Sequence, residues 1–281
     1  MSRARAPEPS SIPATVRRAL AFLERDAAQQ LSYRAALLLE AASILIVTTM
    51  FFFLARVVDP AASPFLERYG SGYFAFALTG IALSNYLSLS LHGFGEQIRQ
   101  GQVSGTLEAL FLTPARSWEI VAWGSLWSFA YQSLKIAIYL AVGVAFGLSL
   151  ESANWPAAVV VLLLSIFALA PFGILAAAFI LVWKKGDPIS YFFTSLSTLL
   201  AGVYYPVEVL PEWLQGLARL LPLTHAVEGF RASVLRGAAL PALAPQLLAL
   251  GAFAIVLIPP AFLAFSRAAI WAKRAGGLGQ Y

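Results

Sequence analysis

Along most of the chain the apolar positions form long unbroken runs, and the polar residues gather between them. A helix that crosses a bilayer needs about 20 predominantly apolar residues at about 1.5 Å of rise each. That length picks out six candidate spans: Ala35 to Ala55, Gly72 to His92, Trp118 to Leu148, Trp155 to Trp183, Pro188 to Tyr205 and Pro245 to Trp271. The fifth is short, and Pro259 with Pro260 is expected to bend the sixth. A closed barrel would show alternating segments of about ten residues instead, so helices are the expected spanning unit. Trp118, Trp155, Trp183 and Trp271 sit at span ends, where indole rings favour the headgroup level. The predicted class is an all-α membrane protein with a six-span transmembrane domain over 35–271 and a tail over 272–281.

Three stretches depart from this pattern. Residues 1–34 hold a Pro-, Ser- and Arg-rich tail to Pro13, without the apolar core of a secretory signal near residue ten. From Ala14 to Leu31, Val16, Leu20, Leu23, Ala27 and Leu31 fall on one helical face, and Arg17, Arg18, Glu24 and Arg25 on the other. This is the pattern of a helix lying in the membrane interface. The second stretch, 96–113, mixes polar residues with Ile98, Val103, Leu107, Leu110 and Phe111. Gly101 and Gly105 interrupt it, which predicts two short helical pieces, and Thr113 is expected to cap the third span ahead of Pro114. The third stretch, 206–237, predicts two short helices. Pro211 opens one, with Trp213, Leu214, Leu217, Leu220 and Leu221 on one face and Glu212, Gln215 and Arg219 on the other. Pro222 stops it, and Thr224 is expected to cap the next. Neither piece is long enough to cross, so a re-entrant hairpin or a flat cap is expected.

Composition agrees with lipid as the solvent. The 281 residues are 59% hydrophobic and 12% charged, against about 25% charged in a typical soluble domain. Cysteine is absent, which excludes disulfides and thiolate metal sites. The net charge of +5 matters through its placement. Arg3, Arg5, Arg17, Arg18, Arg25, Arg34, Arg99, Arg116, Lys184, Lys185, Arg267, Lys273 and Arg274 all fall on the side that holds both termini. The other side has Arg56, Arg68, Arg219, Arg231 and Arg236, diluted by Asp59, Glu67, Glu151, Glu208, Glu212 and Glu228. The positive-inside rule then predicts a multi-pass protein of the cell membrane with both termini cytoplasmic.

The two internal segments that fail to span carry a family resemblance. The residues are Gly105-Thr106-Leu107-Glu108-Ala109-Leu110 with Thr113-Pro114, then Leu210-Pro211-Glu212-Trp213-Leu214, then Pro222-Leu223-Thr224-His225 and Arg231 to Gly237. Their order and spacing resemble the type-2 ABC exporter permeases, as a cytoplasmic coupling helix followed by a hairpin between spans five and six. The resemblance implies a membrane subunit without its own catalytic site. It would pair as a homodimer or with a related permease, and two cytoplasmic ABC ATPase subunits would bind ATP and Mg. It implies no cofactor on this chain and no nucleic-acid partner. Gln102, Ser104, Gly105, Thr106, Leu107, Glu108 and Leu110 would then contact the ATPase. Glu208, Trp213, His225, Glu228 and Arg231 would line or gate the outer exit. A Walker A loop needs glycine before lysine, and none of Lys135, Lys184, Lys185 and Lys273 follows one.

Single polar residues complete the picture. Lys135 lies near the centre of the third span, where a charge costs about 2.5–3.5 kcal/mol on insertion scales. It either meets an anionic cargo group in the translocation path or pairs within the bundle. Glu40, near the start of span one, is expected to snorkel or to pair with Arg34. An ion-coupled carrier built on Lys135 and Glu40 is the alternative function, although no internal repeat accompanies them. His92 and His225 stand apart, too few for a metal site. His225 and Glu228 share a face three residues apart without a nucleophile nearby, and Glu228 is expected to form an ion pair with Arg231. A membrane-bound lipid enzyme would need a larger polar cluster.

Overall fold

A computed structural model describes residues 14–58, 66, 69, 72–103, 126–183 and 188–274. Nine α-helices order these residues: α1 Ala14–Ser32, α2 Arg34–Val57, α3 Gly72–Val103, α4 Leu126–Ala145, α5 Trp155–Trp183, α6 Pro188–Leu200, α7 Glu212–Arg219, α8 Pro222–Leu235 and α9 Ala244–Arg274. Among the described residues there is no strand. Short 3-10 turns at Val207–Val209 and Leu240–Leu243 precede α7 and α9.

Among the described residues, five helices are long and apolar enough to cross a membrane: α2, α3, α4, α5 and α9. Lipid explains their surface. On α2 only Ile44, Thr48 and Phe51 are buried, while Leu38, Leu39, Ile46, Met50 and Phe53 stand exposed. That apolar stripe would be unfavourable in water and is ordinary against acyl chains. Helix α3 is the opposite, with 72% of its spanning residues buried against 17% for α2. It packs against α5, α4, α2 and α8, and α5 packs along α9. Small residues allow the tight crossings. At Gly173 of α5 a Cβ would lie 1.6 Å from the Ser90 carbonyl oxygen of α3, so no other residue fits there. Pro171 lies inside α5, and Pro259 and Pro260 inside α9, and both helices continue through them.

The fifth predicted span forms only α6, which has 13 residues. At about 1.5 Å per residue it covers roughly 20 Å, short of the ~30 Å hydrocarbon core. Beyond Leu200 the chain turns at Gly202, whose φ of 74° suits glycine. It then enters the hairpin. The two predicted hairpin helices are present as α7 and α8. Their burial differs from a flat cap: almost every residue of α8 is buried, against α5, α9 and α3.

Two local expectations are corrected. Gly101 does not break the chain into short pieces, because α3 runs through it to Val103. One glycine costs about 1 kcal/mol relative to alanine, which a 32-residue helix absorbs. Thr224 does not cap α8. Pro222 starts that helix, where its missing N–H costs nothing, and no side chain caps Leu221. Residues 104–125, with Thr113 and the start of the third predicted span, lie outside the described residues.

Candidate functional site: the hairpin, its arginine latch and a polar cavity

A helix that stops inside an apolar bundle leaves carbonyls that need donors. In the turn that follows α6 one side chain supplies donors to such carbonyls. The Arg231 guanidinium, 1% exposed, donates from Nη1 to the Gly202 carbonyl at 2.7 Å and from Nη2 to Val203 at 2.8 Å. Nε and Nη2 donate to the Phe76 carbonyl in the first turns of α3, at 3.1 and 2.8 Å. The Phe76 ring lies 3.5 Å from Cζ, so the cation also stacks on an aromatic face. One planar fork thus ties α8, the broken end of α6 and α3 together. Gly80 makes room, since a Cβ there would lie 2.3 Å from Nη2 and 2.4 Å from the Val203 oxygen. The predicted ion pair between Glu228 and Arg231 is not formed. On the buried α8 the arginine turns toward the carbonyls at the end of α6, and Glu228 faces a cavity.

Further side-chain bonds hold the hairpin's shape. Thr224 Oγ1 donates to the Ala218 carbonyl at 2.6 Å. Gln215 Nε2 donates to Leu210 at 2.8 Å and to Glu208 at 3.3 Å. His225 Nε2 lies 2.9 Å from the Arg219 carbonyl. The far end of α8 is met by the loop between α4 and α5: Asn154 N–H donates to Ser233 at 2.9 Å and Ser152 Oγ to Leu235 at 3.2 Å.

Between the hairpin and the start of α9 lies a cavity of about 390 Å³. Glu208, Arg219, His225, Glu228, Arg236 and Gln246 contribute its polar walls. Three of the predicted exit residues therefore meet here: Glu208, His225 and Glu228. Arg231 is on the same helix but is committed to the latch. Trp213 is elsewhere. It projects outward with Leu217 and Leu220, 69% exposed, while Leu214, Ala218 and Leu221 face the small core under α7. The apolar face predicted for α7 is thus split into an inner and an outer stripe.

Lys135 lies in a separate polar cluster. Its Nζ is 2.7 Å from Glu40 Oε1, and Tyr131 O–H donates to Glu40 Oε2 at 2.6 Å. Glu40 therefore pairs across to α4 instead of with Arg34. One turn of α4 places Tyr131 and Lys135 on the face that meets α2. Nearby, Tyr86 of α3 and Ser133 of α4 are hydrogen-bonded. His92 rests against the Tyr191 ring, at a centroid distance of 4.5 Å.

Of the predicted ATPase contacts, Gln102 lies on the final turn of α3, and Ser104, Gly105, Thr106, Leu107, Glu108 and Leu110 lie outside the described residues. Gly80, Gly202 and Gln246 were not singled out from the sequence, and Gln215 was read only as part of the polar face of α7. Gly202 after an abruptly short apolar run carried a usable signal, because a broken span needs a turn and a donor. Gly80 carried none, being one glycine within a long apolar helix.

A family model described as ABC-2 type transporter matches residues 19–235, from α1 through the last residue of α8. The inner membrane transport permease YadH of Escherichia coli (strain K12) is 21% identical over 165 residues, which cover 59% of this chain and 64% of that protein. Nodulation protein J of Sinorhizobium fredii (strain NBRC 101917 / NGR234) is 27% identical over 199 residues, 65% of this chain and 73% of its own length. The chain thus spans just under two thirds of the YadH permease. With well over half its length matched, this chain belongs to the ABC-2 type transporter family, as one of its membrane permeases.

Proposed function

We propose that this chain is the membrane subunit of an ATP-binding-cassette exporter and forms the path along which cargo moves outward. ATP and Mg act on a separate ATPase chain, present in two copies, and two permeases pair, either as a homodimer or with a relative. The permease has no catalytic role of its own. Both termini face the cytoplasm, and α6 with the hairpin makes up the fifth of six crossings.

The observation that carries this reading is the course of α3. It is one continuous helix from Gly72 to Val103, and its early turns hold Arg231 of the hairpin through the Phe76 carbonyl. From Phe76 to Val103 a helix runs about 40 Å at about 1.5 Å per residue, more than the ~30 Å hydrocarbon core. One rigid element therefore links the segment that leads into 104–113 with the latch of the hairpin. Force applied by an ATPase at Gln102 to Leu110 would reach the cavity residues Glu208, His225 and Glu228 through α3 and Arg231. Lys135, paired with Glu40, is a structural cation in this scheme.

Transport in sealed vesicles containing the permease and its ATPase tests the reading. Cargo export should require hydrolysable ATP and survive collapse of the proton gradient. Export that persists without ATP and stops with the gradient would instead establish the ion-coupled carrier. Orientation has its own test, helped by the absence of native cysteine. Single Arg25→Cys and Glu151→Cys variants, both at exposed positions, should react with an impermeant thiol reagent from the inner and outer side respectively.

A further inference from the structure

The cavity beside the hairpin has polar groups that the hairpin itself does not use. Gln215, Thr224 and His225 are occupied by backbone carbonyls. Glu228 has no hydrogen bond or ion pair among the described residues, and Gln246 Oε1 is buried there without a donor. Both are acceptors, one charged and one neutral. At the rim, the Arg219 guanidinium is exposed and also has no partner among the described residues. Gln246 Oε1 is a buried acceptor without a donor, which is costly, and Glu228 is a half-buried carboxylate beside it, so the cavity suits a ligand that brings donors. A primary ammonium has three N–H donors and a positive charge, enough for the carboxylate and the amide oxygen at once. An anionic group beside it would meet Arg219. The volume of about 390 Å³ lies within the usual range for small-ligand sites.

We propose that this cavity binds a phosphoethanolamine-type zwitterion, with the ammonium on Glu228 and Gln246 and the phosphate at Arg219. The location at the outer headgroup level rests on the exporter orientation proposed above. Two relatives of the ligand are poor fits. A trimethylammonium has no N–H for Gln246, and a phosphoglycerol has no cation for Glu228. The chemistry can come from a phosphatidylethanolamine headgroup or from a soluble phosphoethanolamine compound.

The test is native mass spectrometry of the full chain after exposure to equal amounts of phosphatidylethanolamine, phosphatidylcholine and phosphatidylglycerol. Phosphatidylethanolamine should be retained about tenfold over each of the others, the effect expected of charge-assisted hydrogen bonds. Glu228→Gln and Gln246→Leu should each reduce this preference at least about fivefold, with the melting midpoint kept. Displacement of the lipid by soluble glycerophosphoethanolamine would show that the site accepts the headgroup from either source. Resistance to displacement, with the preference intact, would assign the site to the lipid. Equal retention of the three lipids, or an intact preference in both variants, would overturn the proposal. The measurement contains neither ATP nor an ATPase, so its failure and a failure of the transport reading are separate results.

Discussion

Among the described residues, Arg231 and Lys135 are cations inside the bundle, and different groups hold them. Arg231 rests on three backbone carbonyls and an aromatic ring. Lys135 rests on the Glu40 carboxylate. The ion pair is a contact between two side chains, with 20% and 33% of their surfaces exposed. It can be removed as a unit. The arginine fork instead bridges the backbone turn after α6 to the first turns of α3. This comparison separates a cation needed for neutral charge from one needed for chain geometry.

Breaking the arginine side should have the largest effect. Arg231→Ala leaves the carbonyls of Gly202 and Val203 without this donor, at about 1–3 kcal/mol for each buried group, while the Phe76 carbonyl keeps the Thr79 hydroxyl. A loss of about 2–6 kcal/mol is expected from the sum, seen as failed assembly or a lowered melting transition in detergent. Arg231→Lys should recover little, because a point charge cannot span the three acceptors. A wild-type melting curve for Arg231→Lys would show that charge alone suffices. Gly80→Ala reaches the same site from α3. Its Cβ would sit 2.3 Å from Nη2, so a cost of about 3 kcal/mol, the upper end for overpacking, is expected.

The lysine side should be damaged less and should be repairable. Lys135→Met leaves Glu40 with the Tyr131 hydroxyl but no cation, and its partial exposure argues for the low end of the usual 3–5 kcal/mol, about 3 kcal/mol. The double variant Glu40→Leu with Lys135→Met should regain most of that stability. No recovery in the double variant would mean that the pair has a role beyond neutrality. Smaller again is Thr224→Val, which removes one bond to Ala218 and should cost about 1 kcal/mol in thermal unfolding. Trp213→Ala should change stability by less than about 0.5 kcal/mol, since its ring is outside the core.

Much of this architecture was visible in the chain's polarity pattern. Five long apolar runs became helices α2, α3, α4, α5 and α9, because length and hydropathy alone specify a crossing helix. Pro211 and Pro222 marked the starts of the hairpin helices, since proline suits a helix's first turn. Patterns of polarity were less informative where lipid and protein are both apolar. Trp213 and Leu214 looked alike in sequence, yet one faces outward and the other a small core. Spacing also misassigned two partners. Local rules suggested Glu228 for Arg231 and Arg34 for Glu40, but unsatisfied carbonyls and a cation on another helix competed more strongly. Such long-range partners depend on how helices cross, which no short window contains.

In the proposed exporter, α3 and the hairpin move as one body when the partner ATPase acts. Spin-label distances give the most direct measurement, with Ser88→Cys on α3 and Glu212→Cys on the hairpin as the only cysteines. Labelled permease is diluted with unlabelled permease, so that distances within one subunit are read, in the assembled transporter with and without ATP and vanadate. The Ser88–Glu212 distance should stay constant, while the Glu212–Glu212 distance, read in a separate undiluted sample that carries only Glu212→Cys, should change. A Ser88–Glu212 distance that shifts with nucleotide, with the subunit-to-subunit distance fixed, would contradict the account.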